Sequence, residues 1–213
     1  MPVRALLFDF NGTLSDDEHV QCDVYRRLFA KLGRPLTREQ YFDQLAGFSD
    51  DEIVERWLGR GHPAASQVLA DRIRLVGAAI ADGSTVSPQV RAAVRIAVGK
   101  AALAVVSGAA RAEIEPVLHA ARLEVFDAVV TMEDVSGGKP DPEGYLRALD
   151  LLQVAPEDGV ALEDSEPGIA AAKAAGLYTV ALLGTMGRDR LAAADEVAEG
   201  LDAALVERLL ARG

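Results

Sequence analysis

Five short apolar runs punctuate the chain, at residues 3–8, 101–106, 126–130, 159–162 and 178–183. Each has the length of a strand, is almost wholly apolar and is bounded by turn-forming residues, as expected of strands buried on both faces of a parallel sheet. Helical stretches at 111–121, 142–152 and 166–175 separate the later runs. Strands alternating with helices of this length predict an α/β fold built on a doubly wound parallel sheet. The interval from Asp16 to Val86 breaks the alternation. Two capping boxes, Thr37-Arg38-Glu39-Gln40 and Ser49-Asp50-Asp51-Glu52, open helices there. Ile53, Val54, Trp57 and Leu58 recur at helical spacing before a stop at Gly59, and Val68, Leu69, Ile73 and Val76 mark another amphipathic helix. Ser87-Pro88 starts the helix that leads back to the sheet. The expected organisation is an α/β core of residues 1–15 and 86–213, with an all-helical domain of residues 16–85 inserted after the first strand.

Composition narrows the functional classes. Half of the 213 residues are hydrophobic and 26% are charged, an ordinary globular balance. The single cysteine, Cys22, forms no internal disulfide and suits a reducing compartment; at its helical position it reads as packing rather than as a nucleophile. No apolar run approaches the roughly 18 residues of a membrane helix, and no secretory segment follows Met1. A net charge of −11 opposes binding to a phosphate backbone. The expectation is an acidic cytoplasmic protein, a monomer or small homo-oligomer, with neither nucleic acid nor membrane as partner.

In open parallel sheets, ligands bind beyond the carboxyl ends of the strands. Asp9 and Asn11 follow the first run, Ser107 the second and Glu163-Asp164 the fourth, while Lys139 lies in the loop after the third. Carboxylates converging with a lysine and a hydroxyl suit an oxygen-ligated divalent cation beside a phosphate. Gly12 and Gly108 would let backbone N–H groups approach an anion. Each piece also has a plainer reading. Asp9 and Thr13 are possible turn and cap residues, and Ser107 and Glu163-Asp164 possible helix caps. His19, His62 and His119 lack ligand spacing. The acidic runs Asp16-Asp17-Glu18 and Asp50-Asp51-Glu52 read as first-turn residues favoured by the helix dipole.

Four segments together resemble the haloacid dehalogenase superfamily: DFNGTL at 9–14, VVSG at 105–108, GKPDPEGY at 138–145 and ALEDSEPGIAAAKAAGL at 161–177. The last takes the form typical of the β-phosphoglucomutase-like phosphatases, whose small helical cap matches the insertion. The resemblance implies an Mg²⁺-dependent phosphohydrolase of a small phosphorylated metabolite. Asp9 would be the nucleophile, forming an aspartyl-phosphate. Asp9, the main-chain carbonyl of Asn11 and Asp164 would hold Mg²⁺, with Glu163 in support. Ser107 and Lys139, with Gly12, Thr13 and Gly108, would hold the phosphoryl group.

Two departures qualify this picture. The family has Asp where Asn11 stands, and an amide cannot shuttle a proton at neutral pH. Losing a general acid/base costs about 10²–10⁴ in rate. Asn11 therefore implies attenuated turnover, with Asp16 or Asp17 as candidate substitutes, or a phospholigand-binding protein with little activity. In the cap, Gly47, Phe48, Ser49 and Asp50 correspond to a specificity loop, where β-phosphoglucomutases carry basic residues at the positions of Ala46 and Asp50. Repulsion between Asp50 and a bisphosphate would disfavour a third reading, a sugar phosphomutase.

Overall fold

The computed structural model describes residues 2–212. Its sheet has six strands, β1 (Ala5–Phe8), β2 (Ala102–Val106), β3 (Ala128–Val130), β4 (Gly159–Glu163), β5 (Tyr178–Leu182) and β6 (Glu196–Ala198). All pair in parallel, in the order β3-β2-β1-β4-β5-β6. This is the doubly wound arrangement, and its topological switch point opens beside β1, where the strand order reverses.

Every residue of β1 is fully buried because both faces are covered. Leu6 and Phe8 join one apolar cluster with residues of α5 (Pro88–Ala97), α6 (Arg111–Ala120) and α9 (Ala203–Leu210). Ala5 and Leu7 point the other way, into a cluster with α7 (Glu143–Leu152) and α8 (Glu166–Ala174). The period-2 alternation of a strand thus feeds two separate apolar layers.

Between β1 and β2 the chain forms α1 (Glu18–Lys31), α2 (Arg38–Gln44), α3 (Asp50–Leu58) and α4 (Ala65–Ile80) before α5. Both capping boxes form: Thr37 and Ser49 accept from the backbone N–H three residues on, and Gln40 and Glu52 reach back. Gly59 ends α3 at φ 98°, where a side chain would be strained. Aromatic rings knit this segment, with Tyr25 stacked on Phe29 and Phe29 on Trp57. Cys22 is buried within the same cluster, as its helical position suggests.

Two C-terminal elements, β6 and α9, lie outside the sequence pattern read above. β6 has three residues, all half-buried, and so carries no apolar run. α9 does carry a signal, since Asp202 caps it and Leu205, Val206 and Leu209 form a buried stripe.

Candidate active site

The residues at the strand ends converge. Asp9 follows β1 directly, with its N–H bonded to the Leu162 carbonyl of β4 (2.9 Å). The chain then turns back on itself, Gly12 donating to the Ser15 carbonyl (2.7 Å). Gly12 has φ +77°, and a Cβ there would lie 1.8 Å from Asp164 Oδ2, so a side chain would displace that carboxylate. Beyond β2, Ser107 Oγ accepts from the Ala109 N–H (3.1 Å) and faces Asn11 Oδ1 at 3.5 Å. Ser107 is not the cap of α6, a position that Ala110 occupies.

Lys139 reaches in from the loop before α7. Its ammonium donates to Asp9 Oδ1 (2.5 Å) and Glu163 Oε1 (2.6 Å), and the Tyr145 hydroxyl also donates to Glu163 Oε1 (2.6 Å). Glu163 is fully buried, over Gly168 of α8; a Cβ on that glycine would come 1.9 Å from Glu163 Oε2. Ser165, not the acidic pair before it, caps α8.

Oxygens of Asp9, Glu163 and Asp164 all lie within 4.8 Å of one another. Three carboxylates facing one ammonium leave two negative charges in excess, which one divalent cation cancels. Burial pushes the Asp9 carboxyl up to about 7, Lys139 opposing the shift and Glu163 adding to it. Asp164 is driven well above the usual range by burial, then by Asp9 and Glu163. Burial works against the Lys139 ammonium, but Asp9 and Glu163 outweigh it and raise its pKa. Hard oxygen donors in this number, together with the excess negative charge, fit Mg²⁺.

A cavity of about 250 Å³ opens over this cluster. Asp9, Asn11, Ser107, Gly108, Lys139 and Asp164 form its floor, and Gly47, Phe48, Ser49 and Asp50 line it from the helical segment. Gly12 and Thr13 line a different cavity, of about 430 Å³. The Gly12 N–H is already committed to Ser15, so that glycine contributes close packing against Asp164 rather than a free donor.

The acidic runs stand at helix starts, with Glu18 in the first turn of α1 and Asp50-Asp51-Glu52 in that of α3, and some of them are also tied into the packing. Asp16 is exposed, but Asp17 is fully buried and accepts from Asn11 Nδ2 at 2.7 Å. Glu18 is buried beneath the Tyr41 hydroxyl (2.7 Å). Asp50 accepts from Tyr25 (2.6 Å) and pairs with Arg72 (3.2 Å). Its charge is partly offset by an arginine that Glu113 shares, so the repulsion expected from an acidic residue at position 50 is weakened. Arg72 went unnoticed in the sequence. It stands at i+4 spacing with Val68, Val76 and Ile80, an arginine on an otherwise apolar buried stripe. It also donates twice to Glu113 (2.5 and 2.7 Å) and once to Gln21 (2.5 Å), joining α4 to α6 and α1. His19 and His119 are exposed, and His62 accepts from a local backbone N–H, so none faces the cavity.

A parallel sheet in this order, with carboxylates from two adjacent strand ends and a lysine between them, defines a class, and the comparison with known families agrees. Residues 6–182 match the haloacid dehalogenase-like hydrolases, and the chain belongs to that family. It is 32% identical over 211 residues to the validoxylamine A 7'-phosphate phosphatase of Streptomyces hygroscopicus subsp. limoneus, covering 93% of this chain and 94% of that one. It is 30% identical to the phosphorylated carbohydrates phosphatase of Thermotoga maritima, covering 84% of each. Among solved structures, CbbY from Rhodobacter sphaeroides in complex with phosphate superposes with a TM-score of 0.83 at 30% identity, covering 96% of both chains. Among the described residues no helix is long and apolar enough to cross a membrane.

Proposed function

We propose that this protein is an Mg²⁺-dependent phosphohydrolase of a small phosphorylated metabolite. The observation that carries the reading is the Asp9–Lys139–Glu163 contact beside Asp164, at the floor of a cavity. Asp9, the main-chain carbonyl of Asn11 and Asp164 would hold Mg²⁺, with Glu163 in support; the cation would neutralise phosphate charge. A carboxylate oxygen of Asp9 attacks phosphorus, the bond to the substrate oxygen breaks, and an aspartyl-phosphate forms. Water then cleaves that acyl phosphate, releasing phosphate and restoring Asp9. Lys139 and Ser107, with the Gly108 backbone, orient the phosphoryl oxygens, Lys139 offsetting charge between Asp9 and the incoming anion. Residues 16–85 act as a cap that excludes water and selects the substrate. Relatives named for a 7'-phosphate and for phosphorylated carbohydrates support a substrate of this kind.

Asn11 attenuates the reaction because its amide supplies no proton to the departing oxygen. Acyl and aryl phosphates, whose leaving groups need less protonation, are turned over faster than alkyl esters by about 10²-fold or more. The same residue supports a second reading, a phospholigand-binding protein with little turnover. A phosphomutase comes third. The two cations lining the cavity are Lys139, engaged with Asp9 and Glu163, and Arg72, engaged with Glu113, Asp50 and Gln21, which leaves neither free for a second phosphate. Phosphate release from sugar, acyl and aryl phosphates, with and without Mg²⁺, tests the proposal. Mg²⁺-dependent release abolished by Asp9→Asn supports it. Tight phosphate-ester binding without release favours the second reading.

A further inference from the structure

Asp17 is the first residue ahead of α1, the position at which an aspartate side chain normally accepts from the first-turn N–H groups of its helix. Its carboxylate makes no such bond. It is fully buried and turned instead toward Asn11, taking an amide hydrogen at 2.7 Å. Asp17 does not line the cavity, whereas Asn11 does. A carboxylate that gives up its helix cap and its hydration to hold one amide is a restraint on that amide. Asp17 Oδ2 holds the Nδ2 edge of Asn11, which leaves Oδ1 on the side of Ser107, 3.5 Å from its hydroxyl.

We infer that Asn11 and Asp17 are a matched amide–carboxylate pair, in which Asp17 is a positioning residue. It aims the side-chain Oδ1 of Asn11 at the reacting phosphoryl group and away from the helix. The oriented amide then accepts a hydrogen bond from the water that attacks the aspartyl-phosphate, aligning that water without deprotonating it. The inference rests on the proposed phosphohydrolase reading for its kinetic consequence, but not for the pair itself. It also changes what a return to aspartate at position 11 would do. Two carboxylates would face each other across a separation now bridged by a hydrogen bond, so Asn11→Asp alone is a mismatched site. The reciprocal exchange, N11D with D17N, restores one carboxylate and one amide.

The test is a set of variants read by steady-state kinetics on an aryl phosphate and by thermal melting. D17A should lower kcat about tenfold with KM within about twofold, because a loosened amide misplaces the water and not the substrate. D17N, which can still accept from Asn11 Nδ2, should recover most of that loss. In an N11A background, D17A should change kcat by less than about twofold, since a residue acting only through Asn11 has nothing left to position. N11D/D17N should exceed N11D in both kcat and melting temperature. A D17A effect as large without Asn11 as with it would overturn the inference, as would N11D/D17N melting no higher than N11D. If D17A fails to fold, the N11D and N11D/D17N comparison decides alone. If no variant releases phosphate, the phosphohydrolase reading fails, while the melting temperatures still decide the pair.

Discussion

Lys139 and Arg72 are both cations withdrawn from solvent and gripped by carboxylates from distant parts of the chain. Lys139 links Asp9 to Glu163 at two strand ends, and Arg72 links α4 to Asp50 of α3 and Glu113 of α6. Their settings differ in what remains unfilled. Around Lys139 a third carboxylate, Asp164, stands within reach, and the side chain keeps 16% of its surface exposed at the cavity. Arg72 is 2% exposed, and its hydrogen bonds go to groups already in place. Burial of a charge therefore does not by itself mark a site of chemistry. An excess of charge beside open volume does.

The largest effects should fall on the Lys139 side. Asp9→Asn should reduce phosphate release to background, a loss of about 10³-fold or more, because an amide replaces the proposed carboxylate nucleophile. Lys139→Ala should cost about 10²–10³ in kcat by removing a fixed positive charge from the transferring group. Both proteins should remain folded by circular dichroism.

Arg72 should answer in stability instead. Arg72→Met strands the buried Glu113 and should cost about 3–5 kcal/mol in urea denaturation. Adding Glu113→Leu should return much of that loss, since an apolar pair replaces the ionic one. If Arg72→Met lowers kcat with unchanged stability, the contrast between the two cations breaks.

A change of pH sharpens the same contrast. Burial pushes Asp9 and Asp17 from 3.8, and Glu18 from 4.5, up to about 7. The metal-free native protein thus binds more protons than the unfolded chain between about pH 4 and 7, so its stability should fall as pH rises through that window. Mg²⁺ should oppose the fall, raising stability at neutral pH by about 2.7 kcal/mol at a hundred times its Kd. Melting curves across pH, with and without Mg²⁺, measure both. The smallest effect should come from Thr37→Ala, which removes an exposed capping box remote from both cations. It should cost about 1 kcal/mol and leave turnover unchanged.

Much of the floor of the site was legible because strand ends are local features. An apolar run followed by Asp9, Ser107 or Glu163-Asp164 announces itself, and the parallel topology brings those ends together. The wall of the cavity was less so. Asp17, Glu18 and Asp50 look like ordinary first-turn acids, and only tertiary packing sets them against Asn11, Tyr41 and Arg72. Arg72 itself left a trace, a charge at i+4 spacing within Val68, Val76 and Ile80, which demands a buried counter-charge. That its partners include Glu113, forty-one residues on, is not written in any local pattern. β6 was missed for a related reason: it is an edge strand too short to show a period.

The turn after Asp9 also bears on how this molecule ages. An asparagine followed by glycine loses its amide readily, because the glycine nitrogen can attack the side-chain carbon and close a succinimide ring. In the folded chain that nitrogen is tied to the Ser15 carbonyl, and the leaving amide is tied to Asp17. The native turn is therefore a preservative, and deamidation at position 11 becomes a record of time spent unfolded. A stored sample that has opened and reclosed would carry aspartate or isoaspartate where the gene encodes asparagine, and with it a different charge at the centre of the molecule.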